Sequence, residues 1–395
     1  MPPAEGSAPL QVIFNVSRQL ARMGHDVIIL DRKYSADDLS QEQVDGVDIA
    51  RLNAWQVPFG RVPKIIRFVM AEFNAVLFAL AVSRYLKINS SSIDVIHLHL
   101  TSIGLIVGVL NRRLRSKMFY TCHLSQWALS PTKIGISERI HLFLDSLVMK
   151  WVSKVIALNN AARESFIIRG KVSAAKIVVL PNGVDTGLFS QGTETYEATR
   201  RKYGLEGKTT VLFVGRLAKI KGIEHLIRAA DIIVNRYDCR DIQFILAGSY
   251  AYEGVDDPVN IDEMTGYIRQ NHLEKSIVFT GSLPLEEIRV LYAACDIFVL
   301  PSLAEGDPLV TLEAMASGKP IIGTRVGGIP NQIRDGWNGF LIEPGNEKEI
   351  ADRIKYLLDN PQEIEKMGTN SRRYAEEEFD WRIITKRLLR VYEGT

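Results

Sequence analysis

The sequence has little cysteine and no long unbroken apolar run, and each shortage excludes a class of protein. Its three cysteines, at positions 122, 239 and 295, are odd in number and too widely spaced for a disulfide framework or a zinc site. The most apolar segment, residues 65–86, is unbroken only over residues 75–82, far short of the ~20 residues that span a bilayer. Residues 1–9 show no basic start and no apolar run, so no secretory leader is expected. We therefore expect a cytoplasmic protein without a membrane-spanning helix.

Common nucleotide and metal motifs are missing as well. The chain contains no GxGxxG and no GxxxxGKS or GxxxxGKT, which excludes the dinucleotide fingerprint and the P-loop. It also contains no Asp-x-Asp and no His-x-x-x-His, so we expect no metal site. At 46% hydrophobic and 24% charged residues the composition is that of an ordinary globular protein. The charge is uneven, because residues 1–180 carry 22 basic and 13 acidic side chains, a net charge of +9, whereas the remainder carries −7.

Short β-branched runs alternate with longer segments of helical periodicity along the chain. The predicted strands are residues 27–30, 95–98, 119–122, 155–158, 211–214, 244–247, 277–280, 297–300 and 321–323. This alternation is typical of parallel α/β proteins, and runs apolar on both faces indicate helices on two sides of a sheet. The alternation breaks at PNGVD, residues 181–185, and a polar stretch covers residues 190–207. We predict two doubly wound, Rossmann-like domains that face one another across a ligand-binding cleft, the first being residues 1–180.

The start of the chain departs from this pattern. A doubly wound domain opens with a strand that feeds a Gly-rich turn. Here residues 2–7 come first, and a helical pattern follows in which the apolar positions are Leu10, Ile13, Phe14, Leu20 and Met23. The first strand of the first domain is therefore predicted to be missing.

The segment 300–320, LPSLAEGDPLVTLEAMASGKP, is the richest in chemical signals. Asp307 is a suitable helix N-cap, Pro308 fits the first helical position, and Gly318 is a suitable helix end. The free amides and the ~+0.5 charge of a helix start form an anion site suited to a diphosphate. Glu305 in the loop and Glu313 in the helix are expected to reach the same cleft. A solvated surface position is the alternative for either glutamate, weaker for Glu313 because its neighbours are apolar.

A second candidate is the segment 214–222, VGRLAKIKG, directly after a predicted strand. Glycine lets the backbone approach a ligand, and Arg216 and Lys221 are placed to neutralise phosphate oxygens, at roughly 1.5 to 3 kcal/mol per charged hydrogen bond. An ordinary solvated turn is the alternative for this segment taken alone. A compatible anion site later in the same domain favours phosphate binding.

Three histidines follow or lie in predicted strands of the first domain. His123 comes directly after residues 119–122, at a strand end where α/β sites usually lie. His97 and His99 flank Leu98 at strand alternation, so both project from one face. For these two a hydrogen-bonded structural role is favoured over ligand binding, whereas for His123 the two readings are even.

Together these residues resemble the signature of retaining glycosyltransferases of the GT-B fold, family-4 (group 1) type. The resemblance rests first on Glu305 and Glu313, with seven residues between them, inside residues 301–320. Further matches are PNGVD at 181–185, residues 215–222, Ala247-Gly248, GGIP at 327–330, NG at 338–339, GHDV at 24–27 and DVIHLH at 94–99. The second domain, residues 181–375, is covered nearly throughout and the first more loosely. Residues 376–395 resemble the terminal helix that crosses back to the first domain.

The resemblance implies a role for each candidate residue. The implied catalytic residues are His123, Arg216, Lys221 and Glu305. The implied donor-binding residues are Gly215, Asn182, Gly248, Pro308, Leu309, Val310 and Glu313. The implied acceptor-side residues are Glu5, Gly6, Ser7 and His97.

Within these sets the family assigns distinct parts of one ligand. Arg216 and Lys221 would hold the donor diphosphate, together with backbone amides around residues 308–310. Glu313 would hold the nucleotide ribose and Glu305 the transferred sugar, with His123 near its hydroxyls from the facing domain. No cofactor or metal is implied, because a cationic pair and a helix N-terminus stabilise the leaving diphosphate. Residues 5–7 stand where the family has a Gly-Gly loop, and Asp307 where it more often has an apolar residue.

We therefore expect a hexosyltransferase that takes a nucleotide-diphosphate sugar as donor, and no nucleic-acid partner. A nucleotide-sugar epimerase of the same fold and a non-enzymatic nucleotide-binding scaffold are the rival hypotheses. One basic run consists of Arg112, Arg113, Arg115 and Lys117, and Arg61, Lys64 and Arg67 lead into the apolar segment. These basic residues have two interpretations. They form either a solvated helix end beside a core helix, or a face that binds an anionic membrane and a lipid-linked acceptor.

Overall fold

The computed structural model describes residues 8–33, 38–54, 64–123, 136–190, 193–249 and 259–394, and the side chains at 64–68, 136–138 and 193–196 are outside the description. The chain divides into two compact units. Unit 1 comprises Met1–Pro181 and Ile384–Thr395, and unit 2 comprises Asn182–Ile383. The sequence placed the two boundaries at residues 180 and 376. The chain returns to unit 1 only at Ile384, because Phe379 packs in the core of unit 2.

Unit 1 contains two separate sheets with helices around them. Its strands are β1 (Ile28–Arg32), β2 (Gln41–Val44), β3 (Val47–Leu52), β4 (Ile96–Leu98), β5 (Met118–Cys122), β6 (Lys154–Ala157) and β7 (Ile177–Val179). Its helices are α1 (Ala8–Arg22), α2 (Lys64–Ile88), α3 (Thr101–Leu110), α4 (Ile136–Trp151) and α5 (Asn160–Ile168). One sheet has the order β1-β3-β2 and the other is the parallel sheet β4-β5-β6-β7. Among the described residues no strand precedes α1.

Unit 2 is built on one six-stranded parallel sheet. Its strands are β8 (Thr209–Val214), β9 (Ile242–Ala247), β10 (Ile277–Gly281), β11 (Ile297–Leu300), β12 (Ile321–Thr324) and β13 (Gly339–Ile342). Its helices are α6 (Thr193–Lys202), α7 (Ile223–Asp231), α8 (Ile261–Gln270), α9 (Leu285–Ala294), α10 (Leu309–Ala316), α11 (Ile329–Gln332), α12 (Glu347–Asp359) and α13 (Pro361–Tyr374). Helix α14 (Trp381–Glu393) begins in unit 2 and ends in unit 1. Strands β8, β9, β11, β12 and β13 are buried along nearly their whole length, because helices cover both faces.

The strand order of unit 2 fixes where a ligand can bind. The sheet runs β10-β9-β8-β11-β12-β13, so the chain moves outward in one direction from β8 and then in the other from β11. In sheets of this kind the crevice outside the carboxyl ends of the two central strands is the ligand-binding position. The loops that follow β8 and β11 are the two segments that the sequence singled out.

The α/β fold predicted from the sequence is confirmed, and each predicted strand is present within about two residues. The helical pattern near the start is confirmed as α1. Of the strands in the described ranges, four were not predicted: β2, β3, β7 and β13. Strand β2 reads Gln-Glu-Gln-Val and lies at a sheet edge, so it lacks the apolar run that marks the other strands.

One described helix, α2, contains a stretch, Val69–Ile88, that is long and apolar enough to cross a membrane by length and composition. The core helix of a soluble-type domain meets the same criterion. One face of α2 belongs to the core of unit 1 through Phe78, Ala79, Val82 and Leu86. These residues belong to the same buried cluster as side chains of β4, β5 and β6, and α2 contacts α3 and β3.

The close approach of the loops after β8 and β11 depends on Gly222. A Cβ at this position would lie 2.0 Å from the Pro301 carbonyl oxygen, and its φ is +67°. Gly204 has nearly the same φ, +62°, but nothing within 4 Å of a Cβ. We expect Gly204→Ala to lower the free energy of unfolding by about 1 kcal/mol, the strain of a left-handed alanine. Gly222→Ala should lower it by roughly 3 kcal/mol or more, because a backbone carbonyl must also move.

Urea unfolding of the two variants against the unchanged protein measures this difference. Equal losses in the two variants would show that only the backbone angle matters and that the two loops are not in tight contact.

Candidate functional site

Two loops meet at the carboxyl ends of β8 and β11. The two strands pair in parallel, so the segments that follow them leave the sheet side by side. The Leu303 amide donates to the Ile220 carbonyl at 2.7 Å, which joins the loops directly. Segments 214–222 and 300–308 therefore form one continuous surface.

Lys221 and Glu305 form an ion pair on this surface. The distance from Lys221 Nζ to Glu305 Oε1 is 2.6 Å, and the Ser302 hydroxyl donates to the same oxygen at 2.7 Å. Glu305 is 6% exposed and Ser302 is fully buried. A buried carboxylate is tolerated when a cation and a hydrogen-bond donor both satisfy it. Ser302 lies in the segment 300–320, but the sequence analysis assigned it no role.

Arg216 lies two residues after the end of β8, directly after Gly215, and its side chain is exposed. A Cβ on Gly248 would lie 1.9 Å from the Gly215 carbonyl oxygen, so the turns after β8 and β9 are in backbone contact. The Leu217 amide donates to the Ser249 carbonyl at 2.8 Å and closes the same turn. Gly215 and Gly248 thus have a packing reason to be glycine, and their contact with a ligand stays a prediction.

The start of helix α10 differs from the predicted one. The N-cap is Pro308 rather than Asp307, and no side chain caps the helix. The prediction was wrong because the Asp307 side chain bonds to distant parts of the chain instead. Pro308 has no amide hydrogen, so only Leu309 and Val310 among the three predicted positions offer a donor to an anion. The helix ends before Gly318, as predicted.

Asp307 turns its carboxylate into the protein and is 8% exposed. Its Oδ2 accepts the Asn182 amide at 2.6 Å, and its Oδ1 accepts Gln332 Nε2 at 2.8 Å. The Asn182 side-chain amide donates back to the Asp307 carbonyl at 2.8 Å. Burial raises the pKa of Asp307 to about 7, although both hydrogen bonds to the carboxylate act to lower it. The structure therefore gives Asn182 a role in holding this loop, and its predicted donor contact is untested.

Glu313 lies one turn inside α10, and a tyrosine holds its carboxylate. The Tyr292 hydroxyl lies 2.9 Å from Glu313 Oε2. Burial raises the pKa of Glu313 to about 7, and the hydrogen bond from Tyr292 acts to lower it. Glu313 therefore changes its charge near neutral pH. The sequence did not point to Tyr292, because the contact joins two helices.

In unit 1 the three histidines of the sequence analysis lie together. His97 is bonded through both ring nitrogens, Nδ1 to the Tyr392 hydroxyl at 2.6 Å and Nε2 to the Thr121 hydroxyl at 2.7 Å. This is the structural role that the sequence favoured. His99 Nδ1 lies 3.0 Å from His123 Nε2, and the two rings stack.

Burial keeps these rings neutral. It lowers the pKa of His97 to about 3 and the pKa of His123 to about 4, and for His97 the nearby His123 adds to the effect. His123 therefore offers a neutral imidazole at physiological pH, and its position next to the transferred sugar stays a prediction. Sequence reasoning missed His99 as the partner of His123, although the alternation around Leu98 placed it on the right face.

The remaining predicted residues, Glu5, Gly6 and Ser7, lie outside the described residues. In the described part of the chain, no three His, Cys, Asp or Glu side chains are grouped as a metal site requires.

Two family models match the chain. The model described as Glycosyltransferase Family 4 matches residues 11–188, and the model described as Glycosyl transferases group 1 matches residues 195–374. Between them they cover most of units 1 and 2.

Named proteins match over nearly the full length. D-inositol 3-phosphate glycosyltransferase of Corynebacterium aurimucosum is 29% identical over 96% of this chain and 89% of its own. Sucrose-phosphate synthase from Thermosynechococcus elongatus has a TM-score of 0.80 at 23% identity, covering 98% of this chain and 94% of its own. HepE of Anabaena, in complex with UDP-glucose, has a TM-score of 0.77 at 21% identity, covering 99% and 97%. These solved structures confirm the GT-B fold that the sequence predicted.

The raised pKa of Asp307 has a consequence for stability. Between its ordinary value of 3.8 and about 7 the unfolded chain has lost this proton while the folded chain keeps it. The stability that the neutral form contributes is therefore present below 3.8 and is lost as the pH rises through about 7. We expect Asp307→Asn to abolish this part of the pH dependence, since asparagine stays neutral.

Urea titrations across this pH range measure the difference between wild type and variant. Asparagine fits the site once the Gln332 side-chain amide turns over. The asparagine carbonyl then accepts the Asn182 amide, and its amide donates to Gln332 Oε1, which has no partner in the present arrangement. This exchange replaces the bonds from Gln332 Nε2 to Asp307 and to the Pro308 carbonyl. Parallel pH profiles for the two proteins would contradict the assignment of a neutral Asp307.

Proposed function

Because the chain belongs to the group 1 glycosyltransferases of the GT-B fold, we propose that it transfers a hexose from a nucleotide-diphosphate sugar to an acceptor hydroxyl with retention of anomeric configuration. The observation that carries the proposal is the Lys221–Glu305 pair at the switch point of the unit 2 sheet. This pair places a cation and an oriented carboxylate beside the start of α10. A diphosphate and the sugar attached to it need these two groups side by side.

The diphosphate is assigned to Lys221, Arg216 and the first turn of α10. The ammonium of Lys221 has three donors, and only one is needed for Glu305. Leu309 and Val310 contribute amides that have no partner inside the helix. These groups neutralise the charge that develops on the diphosphate as the bond to the sugar breaks.

Glu305 is assigned to the hydroxyls of the transferred sugar. Its Oε1 is fixed by Lys221 and Ser302, which leaves Oε2 to accept a sugar hydroxyl. In the proposed step the acceptor oxygen forms a bond to the anomeric carbon as the bond to the diphosphate breaks. The acceptor proton passes to a phosphate oxygen on the same face, and this gives retention.

Removal of the Lys221 cation tests the donor assignment. Lys221→Ala or Arg216→Ala should lower kcat/KM by ~10²-fold or more, the usual effect of deleting one stabiliser of transition-state charge. Transfer and hydrolysis are measured with the donor that a thermal-shift screen of UDP-, GDP- and ADP-sugars selects. Lys348→Ala is the matched control, because Lys348 pairs with Asp352 at the same 2.6 Å but is 71% exposed.

Lys221→Ala also leaves a buried Glu305 without its cation, so a second variant separates the two effects. Lys221→Ala/Glu305→Gln should regain the melting temperature lost in the single variant, because the unpaired charge is gone. It should not regain affinity for the nucleoside diphosphate. Full turnover in both Lys221→Ala and Arg216→Ala would refute the donor assignment.

The acceptor is the second part of the proposal, and it rests on an apolar stripe on α2. The stripe consists of Val69, Phe73, Val76 and Leu80, which recur at helical spacing and are between 37% and 59% exposed. The other face of α2 lies in the core of unit 1. An exposed row of large apolar side chains is typical of an interaction surface.

Helix α4 extends this surface. His141 Nε2 lies 3.6 Å from Glu72 Oε1, which joins α4 to α2. Ile140 and Phe143 flank this contact and are 55% and 60% exposed. Exposed apolar side chains therefore occur on both of the helices that this ion pair joins.

Exposed basic residues accompany the stripe. Arg84 and Lys87 continue it along α2, and Arg112 and Arg113 follow α3, which packs on α2. We propose that this surface binds an anionic membrane from the cytoplasm and that the acceptor is a lipid-linked glycan or glycolipid. Each cation near an anionic surface contributes ~1 kcal/mol.

Two members of the basic run predicted from the sequence serve the fold instead. Arg115 Nε donates to the Gly108 carbonyl at 2.8 Å, and its guanidinium lies 4.5 Å from the ring of Trp151. Lys117 Nζ donates to the Ile93 carbonyl. Variants that test membrane binding should therefore leave Arg115 and Lys117 unchanged.

We expect the protein to co-sediment with anionic vesicles but not with neutral ones, and less well as the salt concentration rises. Arg112→Ser/Arg113→Ser should weaken this binding by roughly tenfold or more, since two cations of ~1 kcal/mol each are lost. Lys202→Ser/Arg240→Ser in unit 2 is the control, because it removes two exposed cations elsewhere. No sedimentation with anionic vesicles at low salt would mean that the acceptor is water-soluble.

A further inference from the structure

Tyr292 is a buried tyrosine whose hydroxyl contacts helix α10. The residue is fully buried in α9. Its ring packs edge-on against Phe189, with centroids 5.8 Å apart, and tilted against Phe298, with centroids 5.7 Å apart. These contacts fix the ring, so its hydroxyl is held in one place.

That hydroxyl contacts two groups of α10. It lies 2.9 Å from Glu313 Oε2 and 3.1 Å from the Val310 carbonyl oxygen. A phenol has one proton and donates it to one acceptor at a time. When Glu313 is ionised, the charged carboxylate is the stronger acceptor, so the phenol donates its hydrogen bond to Glu313. When Glu313 is protonated, its own O–H donates to the phenol oxygen and the phenol donates to Val310.

We propose that Tyr292 is a positioning residue for nucleotide binding. Its hydroxyl anchors Oε2 of the ionised Glu313, and Oε1 is thereby presented to the hydroxyls of the nucleotide ribose. This inference rests on the proposed function, with Glu313 at the nucleotide ribose as the family resemblance implies. A ribose diol donates to a carboxylate, so it needs the ionised form that the Tyr292 hydrogen bond stabilises.

Tyr292→Phe tests the proposal, because it keeps the ring packing and removes only the hydroxyl. Calorimetric titration with UDP, GDP and ADP in turn should show a Kd about tenfold higher, the usual effect of losing one hydrogen bond to a charged group. The effect should fall on Kd and KM and leave kcat nearly unchanged. In a Glu313→Gln background, Tyr292→Phe should change Kd little, because the carboxylate it anchors is gone.

The pH dependence separates positioning from a merely structural role. Loss of the hydroxyl removes a contact that lowers the pKa of Glu313, so this pKa should rise above its value of about 7. As the pH is lowered, nucleotide affinity should then begin to weaken at a higher pH in Tyr292→Phe than in wild type. The nucleotide phosphate titrates in the same range in both proteins, so the difference between the profiles reports Glu313. A tenfold loss that is equal at every pH and persists in Glu313→Gln would overturn the proposal.

A measurement without nucleotide keeps this inference separate from the proposed function. Wild type should lose stability relative to Glu313→Gln as the pH rises from 4.5 to about 7, and Tyr292→Phe should extend this loss to higher pH. No extension in the variant overturns the inference, whatever the nucleotides do. A further outcome is that the loss of stability extends to higher pH in Tyr292→Phe while UDP, GDP and ADP all fail to bind wild type. In that case the proposed function is wrong, and the role of Tyr292 in nucleotide positioning is wrong as well.

Discussion

The ion pair between Lys221 and Glu305 is the interaction on which the unit 2 site depends. The Glu305 carboxyl group is satisfied in a buried place because one ammonium and the Ser302 hydroxyl both donate to Oε1. The pair forms only if the loops after β8 and β11 touch, and the touch requires the glycine at position 222. A diphosphate that draws on Lys221 therefore shares the ammonium that orients Glu305. In the proposed function, phosphate binding and sugar orientation are therefore coupled through a single side chain.

Three carboxyl groups follow one another between residues 305 and 313, and each is stabilised differently. Glu305 has a cation, Asp307 has amide donors and Glu313 has a tyrosine hydroxyl. Burial raises the pKa of both Asp307 and Glu313 to about 7. The acid at position 307, where the family resemblance implies that an apolar residue is more usual, thus carries less negative charge than the sequence suggests. Local environment rather than residue type sets the charge of this loop.

The parts of the structure that sequence predicted well are those encoded by local pattern. Buried parallel strands are short apolar runs, and both loops of the unit 2 site follow such runs directly. The N-cap at Asp307 was predicted wrongly because its partners Asn182 and Gln332 are 125 and 25 residues away. Contacts such as Tyr292 with Glu313, or His99 with His123, join separate elements, so no pattern in the neighbouring sequence indicates them. Strand β2 was missed because an edge strand needs no apolar face.

Net charge alone also gave an incomplete picture of unit 1. Of the basic run after α3, Arg115 and Lys117 satisfy backbone carbonyls, which leaves Arg112 and Arg113 as its exposed cations. The stripe on α2 is itself only about half exposed, so insertion into a bilayer would give each of its side chains roughly half of the 1.5 to 3 kcal/mol of full burial. A single weak anchor holds a protein only marginally at a bilayer, and stable attachment takes two signals. In the proposed membrane binding the apolar stripe and the cations would supply one signal each, which is the physical reason why we expect binding to require anionic lipid.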